Sequence, residues 1–177
     1  MKKDLAIHFS FMIALFILIS LFKGWIKLDY LPFWLGGILG TLLPDIDHLI
    51  YVYILRPGEA ASQKVVELAS QRKVFQTWDL LSATRIQRTN LIFHSAHFQI
   101  IFVFFALLVI TSSGSLLGRG LVLAFLLHIL IDEIVDLMET GNLDVWFRKI
   151  PVVLDAEQKR WFLIANGLIL LLLGFLL

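Results

Sequence analysis

The fold is decided by residues 120–137, which read Gly-Leu-Val-Leu-Ala-Phe-Leu-Leu-His-Ile-Leu-Ile-Asp-Glu-Ile-Val-Asp-Leu. The segment is apolar enough for a membrane helix, which needs about 20 residues, yet it contains His128, Asp132 and Asp136. A spacing of four residues puts these three side chains on one face of a helix, while Glu133 points away and is expected to be structural. Ionisable groups at such depth are costly and face a bundle interior or a cavity. The stretch therefore predicts a helix inside a bundle, with its polar face directed at other helices.

The composition of the whole chain is that of an integral membrane protein. Of its 177 residues, 59% are apolar, and the mean hydropathy is +0.85. We expect an all-α, polytopic membrane helix bundle that forms a single domain over residues 1–177. The net charge of +1 argues against nucleic acid as a partner. Because cysteine is absent, disulfides, thiolate metal sites and cysteine nucleophiles are excluded.

Hydropathy predicts about five membrane segments. They cover approximately residues 5–22, 29–55, 91–112, 120–137 and 161–177. The second segment is expected to be broken by Gly36, Gly37, Gly40 and Pro44. These glycines would allow a close approach of two backbones or a re-entrant turn that protein covers.

The basic residues predict the orientation in the membrane. Of the 15 Lys and Arg residues, only Lys23, Lys27 and Arg119 fall on the side opposite the N-terminus. The positive-inside rule then places the N-terminus in the cytoplasm. Residues 59–90 are the largest polar segment and predict a helix on the cytoplasmic membrane surface. This helix is either a solvated connector or a lid over a site.

Ionisable side chains recur at the same depth in other segments. His8 lies about one turn inside the first segment, and His94 and His97 begin the third, where a spacing of three gives them a shared helical face. The second segment contains Leu-Pro-Asp-Ile-Asp-His at 43–48. Its proline suits the first turn of a helix. With a rise of about 1.5 Å per residue, all these groups fall in the cytoplasmic half of the bilayer.

Imidazoles and carboxylates that converge in this way are typical ligands of zinc and related divalent ions. The expected metal ligands are His8, Asp45, His94, His128 and Asp132, with Asp45 a candidate bridge between two ions. Asp47 and His48 are expected to orient ligands or to act as general base, and Asp136 to support a ligand from behind.

These groups suggest a metal-dependent hydrolase, whose site at headgroup depth would suit a lipid or a lipid-linked phosphoester. Two other interpretations stay open. The same groups serve as a proton or metal relay in a small transporter or channel, or they form a polar network that only fixes helix packing.

The motifs resemble those of a family of membrane-bound, metal-dependent hydrolases of the bacterial inner membrane (YdjM-like, also described as LexA-binding). The matching elements are His8, Gly37 through 43–48, Phe93-His94-Ser95, His128 to Asp132, and Gly141 to Trp146 before Pro151. The resemblance implies a hydrolase in the inner membrane. The family's pattern is also similar to the helical fold of zinc-dependent phospholipase C and nucleases.

The chain departs from the family's pattern at one place. A His-Arg pair in the family stands where this chain has Thr89 and Asn90. The departure puts in doubt any role of that arginine in binding an anion. Arg85 or Arg88 could take its place.

Overall fold

The computed structural model describes residues 2–88 and 90–177. Within these residues all regular secondary structure is helical, with 78% of the residues in helices. The α-helices are α1 (Lys2–Lys23), α2 (Leu31–Leu42), α3 (Ile46–Ile50), α4 (Ala60–Ser70), α5 (Val74–Ala83), α6 (Ala96–Ser112), α7 (Leu116–Thr140), α8 (Asp144–Phe147) and α9 (Ala156–Leu176). Short helical turns occupy Leu28–Tyr30, Tyr51–Leu55 and Arg85–Gln87. The prediction of an all-α protein is confirmed.

Three helical segments in the described part of the chain are long and apolar enough to cross a membrane. They are Asp4–Lys23, Leu28–Leu55 and Ala156–Leu176. These segments indicate a membrane protein. The shorter α6 and the more charged α7 do not meet the same criteria, so the count of about five crossings stays a prediction.

Helix α7 lies in the middle of the bundle and packs closely along α2. Residues 122–129 of α7 are all buried. A Cβ atom on Gly40 would collide with the carbonyl oxygen of Leu121, and one on Gly120 would collide with that of Phe33. Glycine is needed at these positions because backbone meets backbone there, and neither carbonyl can move aside. The predicted close backbone approach is therefore present, and it holds α2 against the first half of α7, before His128.

The predicted break in the second segment comes at the proline and not at the glycines. Helix α2 continues through its glycines and ends at Leu42, and α3 begins at Ile46. Pro44 has no N–H to donate to the preceding turn, so the regular helix cannot pass it. The glycines keep helical geometry because α7 packs over them.

The prediction of one surface helix over residues 59–90 is wrong, since the chain forms α4 and α5 there. Arg72 adopts a left-handed conformation (φ 56°) after α4. The N–H of Lys73 then donates to the carbonyl of Leu68 at 3.1 Å, which is the hydrogen bond of a Schellman helix end. The sequence has no glycine at this position from which the turn could have been predicted. The turn lets α5 fold back, so that Leu81 packs against Val65 and Val52.

The candidate site residues lie at one end of the bundle. At the other end, Lys23 Nζ donates to the carbonyl of Phe175 at 3.0 Å, and Arg119 donates to that of Leu177 at 3.4 Å. His8 is four turns away from Lys23 along α1, and Asp132 is similarly far from Arg119 along α7. The candidate site residues and these two basic side chains thus lie at opposite ends of the bundle.

Candidate metal centre

Asp132 is the centre of a cluster of imidazoles. Its Oδ1 lies 3.3 Å from His8 Nε2, and its Oδ2 lies 2.9 Å from His94 Nε2 and 3.2 Å from His128 Nε2. Asp45 Oδ1 lies farther out, 3.7 Å from His128 Nε2. The side chain of Asp132 is only 3% exposed. The structure therefore brings the five predicted ligands together, with Asp132 at the centre and Asp45 at the edge.

Two of the histidines are held by backbone carbonyls through their Nδ1 atoms. His8 Nδ1 lies 2.8 Å from the carbonyl oxygen of Asp4, and His128 Nδ1 lies 2.7 Å from that of Thr41. A carbonyl can only accept, so each Nδ1 carries the hydrogen, and a neutral ring presents the lone pair of Nε2. The two rings stack with centroids 4.0 Å apart. Metal-binding histidines are commonly oriented by such a contact on the nitrogen that faces away from the ion.

The facing ligand atoms are buried and lack a hydrogen bond of good geometry. This holds for Nε2 of His8, Nε2 of His128 and Oδ1 of Asp132 within the described part of the chain. The three side chains offer ligand atoms that all lie within 4.8 Å of one another. Buried polar atoms without a hydrogen bond are rare in native proteins. A carboxylate oxygen and an imidazole nitrogen that face each other need a proton or a cation between them, and this group could hold a metal ion.

Asp47 supports His94 from behind. Its Oδ1 accepts the backbone N–H of Ile92 at 3.0 Å, and its Oδ2 accepts those of Phe93 at 2.6 Å and His94 at 3.2 Å. The same Oδ2 lies 3.2 Å from His94 Nδ1. Since Asp47 is fully buried and both oxygens accept hydrogen bonds, the geometry favours the orienting role over that of general base.

The predicted shared helical face of His94 and His97 is not present. The Ser95 side chain accepts the N–H of Phe98, so α6 begins at Ala96 and His94 lies in the turn before it. His94 turns toward Asp132, whereas His97 is exposed on α6. Serine is a residue type favoured at helix N-caps, so Ser95 is the sequence feature from which a helix start at Ala96 could have been predicted.

His48 is tied to the segment after α5. Its Nδ1 accepts from Arg88 Nε at 3.1 Å, and its ring lies 5.0 Å from that of His94. Arg88 also donates to Thr84 Oγ1 at 2.7 Å and to the carbonyl of Leu81. Burial lowers the pKa of Arg88 to about 10. These contacts fasten the surface segment over the site.

Arg85, which the sequence suggested together with Arg88 as a replacement for the family's arginine, contacts the cluster directly. Its NH1 lies 2.9 Å from Asp132 Oδ1, and its NH2 lies 2.5 Å from Asp136 Oδ1. The other oxygen of Asp136 accepts from Trp146 Nε1 at 2.7 Å. Burial alone would lower the pKa of Arg85, but the carboxylates of Asp132 and Asp136 raise it above the ordinary value. The pairing depends on how α5 folds back over α7, which no local pattern indicates.

A cavity of about 60 Å³ opens beside the cluster, with room for a few water-sized molecules. Its polar lining consists of Asp4, His8, Asp45, His48, Ser82, Arg85 and Asp132. Its apolar lining consists of Leu5, Leu49, Trp78 and Leu81. Trp78, Leu81 and Ser82 come from α5, which therefore forms one wall of the site.

Glu133 lies outside this cluster, as its helical phase predicts. It is fully buried, and its Oε2 accepts from Gln99 Nε2 at 3.3 Å. The contact joins α7 to α6 on a face of α7 other than the one that bears Asp132.

No protein-family model, no curated protein and no solved structure matches the chain significantly. The family resemblance therefore rests on the motifs alone and stays a prediction. Thr89, one of the two residues that depart from the family's pattern, lies outside the described residues.

Proposed function

We propose that the chain is an integral membrane, metal-dependent hydrolase that acts on a lipid or lipid-linked phosphoester near the cytoplasmic leaflet of the bacterial inner membrane. One observation carries the proposal. The buried Nε2 atoms of His8 and His128 lack a well-formed hydrogen bond and converge on the carboxylate of Asp132, and both imidazoles are oriented by backbone carbonyls on Nδ1. A network that only fixed helix packing would be expected to satisfy these atoms with one another.

Zinc is the ion that the donor set favours. Two imidazole nitrogens and a carboxylate oxygen match the three protein ligands of many catalytic zinc sites. His94 and Asp45 are the neighbouring groups that would complete the coordination or hold a second ion. When bound, such an ion lowers the pKa of a bound water and stabilises negative charge on a phosphoryl oxygen.

The chain's own residues would supply the proton transfers. His48 accepts the N–H of Arg88 on Nδ1, so the neutral ring carries its hydrogen on Nε2 and is suited to donate a hydrogen bond to a leaving oxygen. Asp45 lines the same cavity with a side chain that is 25% exposed. If a single ion is held by the other ligands, Asp45 is left as the carboxylate that accepts a proton from an attacking water.

The two-sided lining of the cavity supports an amphipathic substrate. Charged and polar groups cover the side near Asp132, and Leu5, Leu49 and Trp78 contribute to the apolar side. A phosphoryl group would then lie against the cluster, and the apolar part of the substrate would begin at Leu5, Leu49 and Trp78. A substrate drawn from the membrane would need this arrangement.

The proposal includes five membrane crossings with the N-terminus in the cytoplasm. Helix α6 has 17 residues, which correspond to about 26 Å, close to the thickness of the hydrocarbon core. Helix α7 carries more charged side chains than a typical membrane helix. Two of them, Asp132 and Glu133, are buried inside the bundle and not exposed to lipid. Both helices are therefore compatible with crossing.

Metal analysis of the purified protein, together with hydrolysis of bis-p-nitrophenyl phosphate, tests the proposal. Wild type and the matched control His97→Ala are expected to contain stoichiometric metal, because His97 is exposed and outside the cluster. His128→Ala is expected to lose both metal and hydrolysis. Folded wild-type protein that takes up no added zinc would refute the proposal. Ion flux into liposomes that the same substitution abolishes, without hydrolysis, would favour the relay.

A further inference from the structure

One carboxylate oxygen of Asp132 contacts both Arg85 and a histidine of the proposed metal centre. Asp132 Oδ1 lies 2.9 Å from Arg85 NH1 and 3.3 Å from His8 Nε2. The guanidinium and an ion held by His8, His128 and Asp132 would thus be neighbours across this oxygen. Two positive charges so close repel each other in a buried site. The single negative charge of Asp132 offsets only part of this repulsion, and a second anion that contacts both would offset more of it.

Arg85 has the exposure and the free hydrogen-bonding capacity to bind such an anion. Its side chain is 19% exposed, and it lines the cavity beside the cluster. The contacts with Asp132 and Asp136 use only part of the N–H donors of the guanidinium. Among the described residues that line this cavity, no other lysine or arginine is present.

Arg88, the other arginine nearby, is placed differently. It is 4% exposed, and its N–H groups donate to His48, Thr84 and the carbonyl of Leu81. A substrate could reach it only if those contacts broke. The two arginines of this segment therefore have different roles, one in fastening the segment and one facing the cavity.

We propose that Arg85 is the anion-binding residue of the site, which holds a phosphoryl oxygen and so selects an anionic phosphoester over a neutral carboxylic ester. The inference rests on the proposed function, because it needs the metal centre. Asp136, held by Trp146, keeps the guanidinium in place from the other side. Arginine suits this task because its five N–H donors are enough to bind both carboxylates and a phosphoryl oxygen at the same time.

The arrangement has a thermodynamic consequence that can be measured without turnover. If an anion contacts both the metal and Arg85, phosphate and metal must each raise the other's affinity by the same factor. A charged hydrogen bond of this kind contributes roughly a tenfold or larger effect. Arg85→Gln should therefore weaken phosphate binding by a similar factor, so that a phosphate concentration just sufficient for the wild type raises the zinc affinity of the variant much less.

The experiment titrates zinc into metal-free, purified protein with and without inorganic phosphate, with a chromophoric chelator as competitor. Wild type and the exposed control Arg160→Gln are expected to bind zinc more tightly by about tenfold or more when phosphate is present. Arg85→Gln is expected to bind zinc with less than a twofold effect of phosphate. Arg85→Lys keeps the positive charge but not the planar guanidinium group, and it is expected to show an intermediate effect. The lysine variant also covers the case in which the glutamine variant does not fold.

The outcomes separate the two proposals. Wild-type coupling in both Arg85 variants, with zinc still bound, would overturn the role of Arg85 and leave the metal centre intact. Wild-type protein that binds no zinc would overturn both proposals. Coupling that is lost in the Arg85 variants but kept in Arg160→Gln would support both.

Discussion

Asp47→Asn is the substitution that most directly tests how the metal centre is built. The asparagine has the same shape but loses the charge and one of the two acceptor oxygens. The native carboxylate accepts three backbone N–H groups, from Ile92, Phe93 and His94, and is fully buried. If the amide oxygen takes the place of Oδ2, the N–H of Ile92 faces an amide nitrogen that cannot accept. A hydrogen bond to a charged group contributes roughly 1.5–3 kcal/mol.

One such bond is lost outright and two others lose their charged acceptor, so we expect Asp47→Asn to lower the free energy of unfolding by about 2–4 kcal/mol. The turn that presents His94 should loosen as a result. Because such supporting contacts affect metal affinity by roughly 10- to 100-fold, the zinc affinity should fall by a similar factor. The measurements are thermal unfolding in detergent micelles and zinc titration against a chelator.

Asp79→Asn is the matched control, since Asp79 is an exposed residue on α5 and the chemical change is identical. It should leave both measurements unchanged. Wild-type stability and zinc affinity in Asp47→Asn would refute the orienting role. Loss of hydrolysis alone, with metal and stability retained, would instead identify Asp47 as a general base.

Two further predictions concern the packing that carries the site. Gly120→Ala should destabilise the bundle by about 1–3 kcal/mol, because its Cβ would meet the carbonyl of Phe33. Gly58→Ala should not, since a Cβ at that position meets open space. Thermal unfolding of both variants in micelles checks this, and equal midpoints would contradict it. Arg88→Met should release the surface segment from His48 and make the region after α5 more sensitive to limited proteolysis. Unchanged cleavage there would show that the arginine does not fasten the segment.

Much of the candidate site was predictable because its central residues lie on one helix. The four-residue spacing of His128 and Asp132 is enough to put both on one face of α7, and the structure places their side-chain atoms 3.2 Å apart. The depth of His8 along α1 was equally accessible, since a helix rises by a constant amount per residue. Both arguments need only local geometry.

The predictions that failed concern places where the chain leaves a regular helix. The shared face of His94 and His97 assumed a helix that in fact starts at Ala96. The single surface helix assumed that the chain stays helical through Arg72, a non-glycine residue in the left-handed conformation. In each case a capping or turn interaction outweighs the periodicity of the apolar residues.

The sequence alone establishes an apolar, helical chain whose costly imidazoles and carboxylates lie at a common depth, because composition and helical spacing act within single segments. Tertiary structure decides which of these groups meet. It puts Asp132 and not Asp45 at the centre, turns His8 and His128 through backbone carbonyls, and brings Arg85 across from a surface segment. These outcomes depend on the rotation and separation of whole helices. Contacts between residues far apart in sequence set that geometry, and no local pattern encodes it.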